Sequence, residues 1–436
     1  MSLGSAMNSG ISGLRSFAVA MGVIGNNLAN VNTPGFKASR TLFSDLIPDT
    51  VSGSGGISQV GRGAGLATVD NLFTQGSIES TSSNLDLAIE GTGFFMVRNP
   101  DAEAVVFTRA GAFRLDEDGY MINPEGYILQ GYISLPGDQG FEDIPSDILI
   151  NTRSSVPGEA STLVQLTTNL DANTEIMADP FDITDPVGTS NFATTTEIYD
   201  SLGMTHLVTT YFRKDALNQW TYHLAVPGED IGSADDLVLV GSGTLTFDES
   251  GMLTNIAADH GPATDPTDPD WPTINAIEAG LLNWDNGARQ GDPLDYEMNI
   301  TQFSTESRVV TQQTDGYSSG TLTDVSVDQE GVITGTYSNG ETRDLARLAL
   351  GKFANESGLE KLGNNLFAPT RESGPADIGP PGEGFGRIFS NALEQSTVDI
   401  AEEFIRMITV QRAFQANSKT ITTTDEMLND VINMKR

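Results

Sequence analysis

The chain has 436 residues, with 23 Lys and Arg against 59 Asp and Glu, a formal charge of −36. So acidic a composition excludes docking on a nucleic-acid phosphate backbone and adsorption to anionic lipid, which both need concentrated positive charge. With no cysteine in the sequence, disulfides, thiolate metal sites, cysteine nucleophiles and thiol-derived crosslinks are excluded too. No run approaches the roughly 20 apolar residues of a bilayer span, and residues 1–8 lack the basic start and apolar stretch of a cleaved signal. Two expectations remain open: a soluble cytosolic protein, or one exported by a route that does not cleave its passenger.

The charge is uneven. The first 40 residues hold no acid and three bases, Arg15, Lys37 and Arg40. The last 46 carry seven acids and five bases, whereas residues 151–300 carry 24 acids and four bases, a net of −20. A segment that repels itself belongs where water and salt screen it, and nearly neutral ends can be packed against other chains.

The amino-terminal segment carries a heptad stripe. Leu14, Phe17, Met21, Ile24, Leu28 and Val31 are spaced alternately three and four apart, which predicts one helical seam. The opposite face holds Ser12, Gly13, Ser16, Ala18, Ala20, Gly22 and Gly25. Because each helical Gly costs about 1 kcal/mol relative to Ala, the helix should form fully only when packed. Asn32, Thr33, Pro34 and Gly35 stop it.

Between residues 76 and 135, short apolar runs alternate with turns, and strands are expected at 85–89, 94–97 and 105–107. Tight turns follow at 116–119 and 123–126. Residues 161–300 suggest a separate β unit with strands at 163–166, 207–212, 220–225, 237–240 and 244–247, and an irregular loop at 263–270. Strand texture returns around Val325, Val332 and Tyr337. A long carboxyl-terminal helix, capped by Ser396 or Thr397, should run to about Met434 with the seam Phe404, Met407, Gln411, Phe414, Ser418, Ile421, Asp425, Leu428 and Ile432. A rod of roughly 55 Å cannot bury one stripe alone. It needs a partner.

Little points to catalysis. His206, His223 and His260 are the three histidines, and without Cys or HExxH spacing they fit structural roles better than a zinc site. Asp116, Asp118 and Gly119 resemble the start of a calcium loop but lack its ligand series, and a hairpin turn explains them. Residues 61–65 are glycine-rich, yet no Lys-Ser/Thr follows as in a phosphate loop. No GxSxG elbow occurs, and carboxylates are too abundant for any pair to be informative. An acidic adhesin-like β protein would share the composition but would not need heptad helices at both ends.

Five segments carry a family resemblance. Asn26, Asn27, Asn30, Asn32, Thr33, Pro34, Gly35 and Phe36, with Lys37, resemble the amino-terminal signature of bacterial flagellar rod and hook proteins. The run Phe107-Thr108-Arg109-Ala110-Gly111-Ala112-Phe113, continuing to Tyr132, resembles a second signature. Gln75-Gly76-Ser77 with residues 85–95 resembles a third. Residues 358–365 and 411–420, with Gln411, Arg412, Gln415 and Asn417, complete the pattern. Together they span both ends and the inner β unit, a little over half of the chain.

The resemblance implies a mainly β fold with long α-helices at both termini, built from nested discontinuous domains. Residues 1–33 with 394–436 would form a helical inner tube, and 34–75 with 361–393 connecting segments. Residues 76–150 with 300–360 would form an inner β domain, and 151–299 an inserted acidic outer β domain. The subunit would be structural and not an enzyme, with no cofactor and no metal. It would polymerise head to tail through Phe17, Met21, Ile24 and Leu28 packed on Phe404, Met407, Phe414, Ile421 and Leu428. Implied partners are copies of itself, a distal rod protein, a hook cap scaffold, a hook–filament junction protein and the flagellar type III export apparatus. Neither nucleic acid nor membrane insertion is implied, and the location is the extracellular part of the flagellum. The long acidic insertion favours a hook subunit; a distal-rod subunit with an enlarged outer domain is the alternative.

Overall fold

The computed structural model describes residues 3–434 apart from 54–55, 103, 136–139, 152–154, 259–272, 278–281, 290–293 and 383. The expected loop at 263–270 and His260 lie outside the described residues. The chain divides into two compact units, one of residues 1–152, 324–336 and 342–436, the other of 153–323 and 337–341.

In the first unit, helix α1 spans Leu3–Ala29 and helix α2 spans Ile400–Met434. α2 starts later than its expected caps, because Asp399 takes that role: its Oδ1 accepts the backbone N–H of Ala401 at 2.8 Å and of Glu402 at 3.1 Å. Thr397 is unavailable, since its hydroxyl accepts the N–H of Ala38 at 2.9 Å. After α1 the chain folds back as a two-stranded ribbon in which Ser39–Asp45 pairs antiparallel with Ala64–Asn71. This segment, expected to be a connector, lies along α1, with the Phe17 and Phe43 rings edge to face at 5.8 Å.

The β part of the first unit is an antiparallel sheet. In it Thr342–Leu348 pairs with Ile128–Ile133, which pairs with Phe94–Arg98, then Val105–Thr108, Leu366–Ala368 and Glu360–Gly363. Beneath it Phe94, Phe107, Phe353 and Phe367 form an aromatic core, with the Phe107 and Phe353 rings perpendicular at 4.8 Å. The turn at 116–119 is a hairpin turn: Asp116 Oδ1 accepts the N–H groups of Asp118 and Tyr120, and Gly119 has φ +93°. The returning chain is knitted in as well, since Arg387–Ser390 pairs with Leu87–Glu90 and Ala392–Glu394 with Ile78–Ser80.

The second unit is a two-sheet β structure with one core. Phe192–Tyr199, Thr205–Ala216, Gln219–Pro227, Leu237–Phe247 and Leu253–Ala258 form an antiparallel meander. The strands expected at 237–240 and 244–247 are one, because Gly241 and Gly243 keep their ladder partners on the neighbouring strand. In the second sheet Leu163–Asp171 lies between Leu294–Phe303, parallel to it, and antiparallel Arg308–Thr314. The unit runs to residue 323, beyond the 299 that the resemblance implies. Trp220, Tyr222 and Phe212 from the meander share a buried core with Tyr296, Met298 and Leu166 from the second sheet, each buried side chain contributing about 1.5–3 kcal/mol.

His206 and His223 lie in strands of the meander. Their rings are packed, His206 stacked on Trp284 at 3.8 Å and His223 on Phe181 at 4.0 Å.

Candidate assembly site

The two terminal helices pack antiparallel although they come from opposite ends of the sequence. A Cβ on Gly10 would meet Ile421 Cγ1 at 3.0 Å, one on Gly13 would meet Asn417 Oδ1 at 2.8 Å, and Asn27 reaches Glu403 at 3.4 Å. The contacting face differs from the expected one by a single residue at alternate positions. On α1, Ile24 belongs to it, but Gly13, Ala20 and Asn27 stand in place of Leu14, Met21 and Leu28, and Phe17 packs on Phe43 of the ribbon. Ala20 and Ile24 are buried, whereas Leu14, Met21, Leu28 and Val31 are only partly covered. On α2, Met407, Phe414, Ile421 and Leu428 are half-buried, but Phe404, Gln411 and Ile432 are exposed, as are Ser418 and Asp425; Glu403, Val410, Asn417 and Thr424 point inward instead.

The physical reason is helix separation. Gly10, Gly13 and Ala20 let the backbones approach closely, so the small-residue face becomes the seam, and the bulky residues flank it. The pair therefore does not cover all its apolar surface. Ile400, Phe404, Ile405 and Ile408 form an exposed stripe over the first turns of α2, with Phe404 47% and Ile405 65% exposed.

Where the chain leaves α1 and returns to α2, the signature motifs converge on a buried ionic clasp. Lys37 Nζ lies 2.6 Å from Glu394 Oε1 and donates to Thr74 O, also at 2.6 Å. Arg109 Nη1 lies 3.2 Å from Glu394 Oε2, while its Nη2 donates to Gly91 O at 2.7 Å. The Gly76 N–H donates to Glu394 Oε1 at 2.7 Å, and the Gly35 N–H to Glu394 O at 2.7 Å. Burial pushes the Lys37 ammonium below the usual lysine range, against the opposing pull of the Glu394 carboxylate; burial acts on Arg109 in the same direction. One carboxylate thus holds two cations from different motifs with solvent excluded, an arrangement that fixes geometry because loss of any member strands a buried charge.

The remaining signature residues have local roles. Asn27 is fully buried: its amide donates to Ser39 O at 2.7 Å and its Oδ1 accepts the Ser39 N–H at 3.0 Å. Asn30 donates to Asn26 O at 2.9 Å and accepts from the Thr33 hydroxyl at 3.2 Å, closing the end of α1. Pro34 O accepts from the Asn365 amide at 2.9 Å. Gly35 has φ +72°, and a Cβ there would sit 2.6 Å from Ala110 N, so the backbone of one motif rests on that of another. Phe36 packs with Ala38 and Val398, and Lys361 Nζ stands 5.5 Å over its ring. Asn417 donates to Ala413 O at 2.9 Å. Asn26, Asn32, Gln411, Arg412 and Gln415 are exposed.

Sequence reasoning missed Glu394, Asp399, Glu403 and Val410. Among 59 acids nothing local marks Glu394.

No helix among the described residues is long and apolar enough to cross a membrane. Four segments match known families in order. Residues 7–37 match the flagella basal body rod protein family, 88–153 the flagellar hook protein FlgE/F/G D1 domain, 169–317 the flagellar basal body protein FlaE D2 domain, and 390–434 the flagellar basal body rod FlgEFG protein C-terminal family. The flagellar hook protein FlgE of Treponema pallidum is 35% identical over 98% of this chain and 99% of its own length. That of Borreliella burgdorferi is 35% identical over 99% of each chain. That of Salmonella typhimurium is 31% identical over 98% of each. Near full-length similarity to hook proteins decides against the rod-subunit alternative. The chain belongs to the flagellar hook protein FlgE family, a structural family and not one of enzymes.

Proposed function

We propose that this hook subunit polymerises head to tail into a curved tube that passes motor torque from rod to filament as a universal joint. The observation that carries the reading is the apolar stripe Ile400, Phe404, Ile405 and Ile408, left uncovered by α1. Interfaces between unlike surfaces do not close on themselves and so propagate as filaments. In the polymer, residues 1–33 and 394–436 form the inner tube. The inner β domain forms the next shell, joined to the tube by the segments that follow α1 and precede α2, and the acidic insertion lies outermost. Leu14, Met21, Leu28, Val31, Phe404 and Ile432 make contacts between copies, and Phe17, Ile24, Met407, Phe414, Ile421 and Leu428 make them mainly within one.

The hydrated, strongly charged outer unit suits bending, because polar contacts with trapped water slide between near-equal arrangements where large apolar contacts lock. The subunit leaves the cell through the flagellar type III export apparatus. It assembles outside the cell beneath a hook cap scaffold, between a distal rod protein and a hook–filament junction protein. The test deletes residues 395–436 and follows sedimentation; a truncated chain that still polymerises contradicts the reading. Electron microscopy of the intact polymer should show curved tubes, and straight ones would remove the bending role.

A further inference from the structure

The ribbon strand Ser39–Asp45 and the start of α2 frame an apolar groove of about 340 Å³. Its walls are Ala20, Val23 and Ile24 of α1, Phe43 of the ribbon, and Ile405 and Val410 of α2. Its charged lining is Arg40, Arg406 and Glu403; Arg406 is already bridged to Glu402 at 2.6 Å and to Glu403 at 3.2 Å, which leaves Arg40 as the cation open to a new partner. Arg40 has spare capacity, since its contact with Asp70 is 3.8 Å long and half of its side chain faces water.

Three and four residues beyond Phe43, just past the end of that strand at Asp45, the chain carries Leu46 and Ile47. Both are exposed, Ile47 to 86%, beside an exposed Asp45. A two-stranded ribbon is marginal in water, and apolar side chains held out on one signal a missing partner. The knob cannot fill the groove of its own chain, because it lies beyond the end of the strand, Ser39–Asp45, that forms the groove wall.

We propose that Leu46 and Ile47 of one copy insert into the groove between α1, the ribbon and α2 of a second copy of this chain. The occupant matches the groove in chemistry, an apolar pair beside Asp45 meeting an apolar cleft edged by the loosely paired Arg40. The contact joins unlike surfaces, so it repeats along a polymer instead of closing a dimer. It rests on the polymerisation reading and adds which surfaces meet.

The lack of native cysteine permits a direct test. Full-length Ile47→Cys and Ile405→Cys chains, both substituted at exposed positions, are mixed, polymerised at high sulfate concentration and oxidised. Disulfide-linked dimers are expected in the mixed polymer and absent from either variant alone. A polymer without mixed crosslinks, or one in which Ile47→Cys links to itself or to Ile144→Cys, overturns the docking while leaving polymerisation intact. If the unsubstituted chain stays monomeric, both fail. As a second measurement, Ile47→Ser should raise the critical concentration about tenfold, as expected for one lost buried aliphatic side chain, with circular dichroism of the monomer unchanged. An unchanged critical concentration overturns the proposal.

Discussion

Lys37 and Glu394, 357 residues apart in sequence, meet at 2.6 Å in an ion pair closed to solvent. Arg109 shares the same carboxylate. The segment leaving α1, the sheet and the segment leading to α2 are thereby tied at one point. Glu394→Gln should destabilise the first unit by about 3–5 kcal/mol, because two buried cations lose their counter-charge. Adding Lys37→Met should recover part of that loss. Urea unfolding of the singles and the double checks this, and strictly additive losses would show that the pair is not coupled.

Alkaline stability follows from the same lysine. Its ammonium is held below the ordinary value of 10.5, chiefly by burial. Between the folded value and 10.5 the unfolded chain binds this proton and the folded chain does not, so Lys37's own contribution to stability rises with pH across that interval. Lys37→Met should remove that rise, seen as the difference between the two unfolding-versus-pH curves.

On the acid side, Asp147 is held below the ordinary 3.8, first by its hydrogen bonds to Arg98 and then by the Gln130 amide, against an opposing effect of burial. Its contribution is therefore complete above 3.8 and is lost as pH falls through the lower folded value. Asp147→Asn should cost stability at neutral pH, and its curve should converge on that of the unsubstituted protein in strong acid.

Gly35 combines φ +72° with the backbone of Ala110 at the place a Cβ would occupy. Gly35→Ala should lose at least about 2 kcal/mol, since neither the left-handed conformation nor the backbone contact can relax cheaply. Thermal unfolding measures it, and a neutral result would mean the loop rearranges.

The displaced helix seam separates folding from assembly. Ala20, 2% exposed, faces α2, while Leu14 lies on the flank. Ala20→Glu should reduce the helicity of the monomer by far-ultraviolet circular dichroism. Leu14→Glu should leave the monomer intact and weaken sedimenting polymer. The reverse outcome would restore the seam drawn from the apolar stripe alone.

Short-range physics, legible in order along the chain, determined the helices at both ends, the stop at Pro34 and Gly35, and the hairpin turns at Gly119 and Gly126. It also set the acid-rich β insertion, whose alternating strands and turns needed no partner to be recognised. The tertiary structure decided what depends on a partner surface. A heptad stripe shows that a helix has a face to bury, but whether Leu14 or Gly13 enters the seam depends on how closely the second helix approaches, and that distance is set by Gly10, Gly13 and Ala20 against Asn417 and Ile421. Glu394 is one acid among 59 until the fold brings Lys37 and Arg109 to it, because charge pairing across hundreds of residues has no periodicity along the chain.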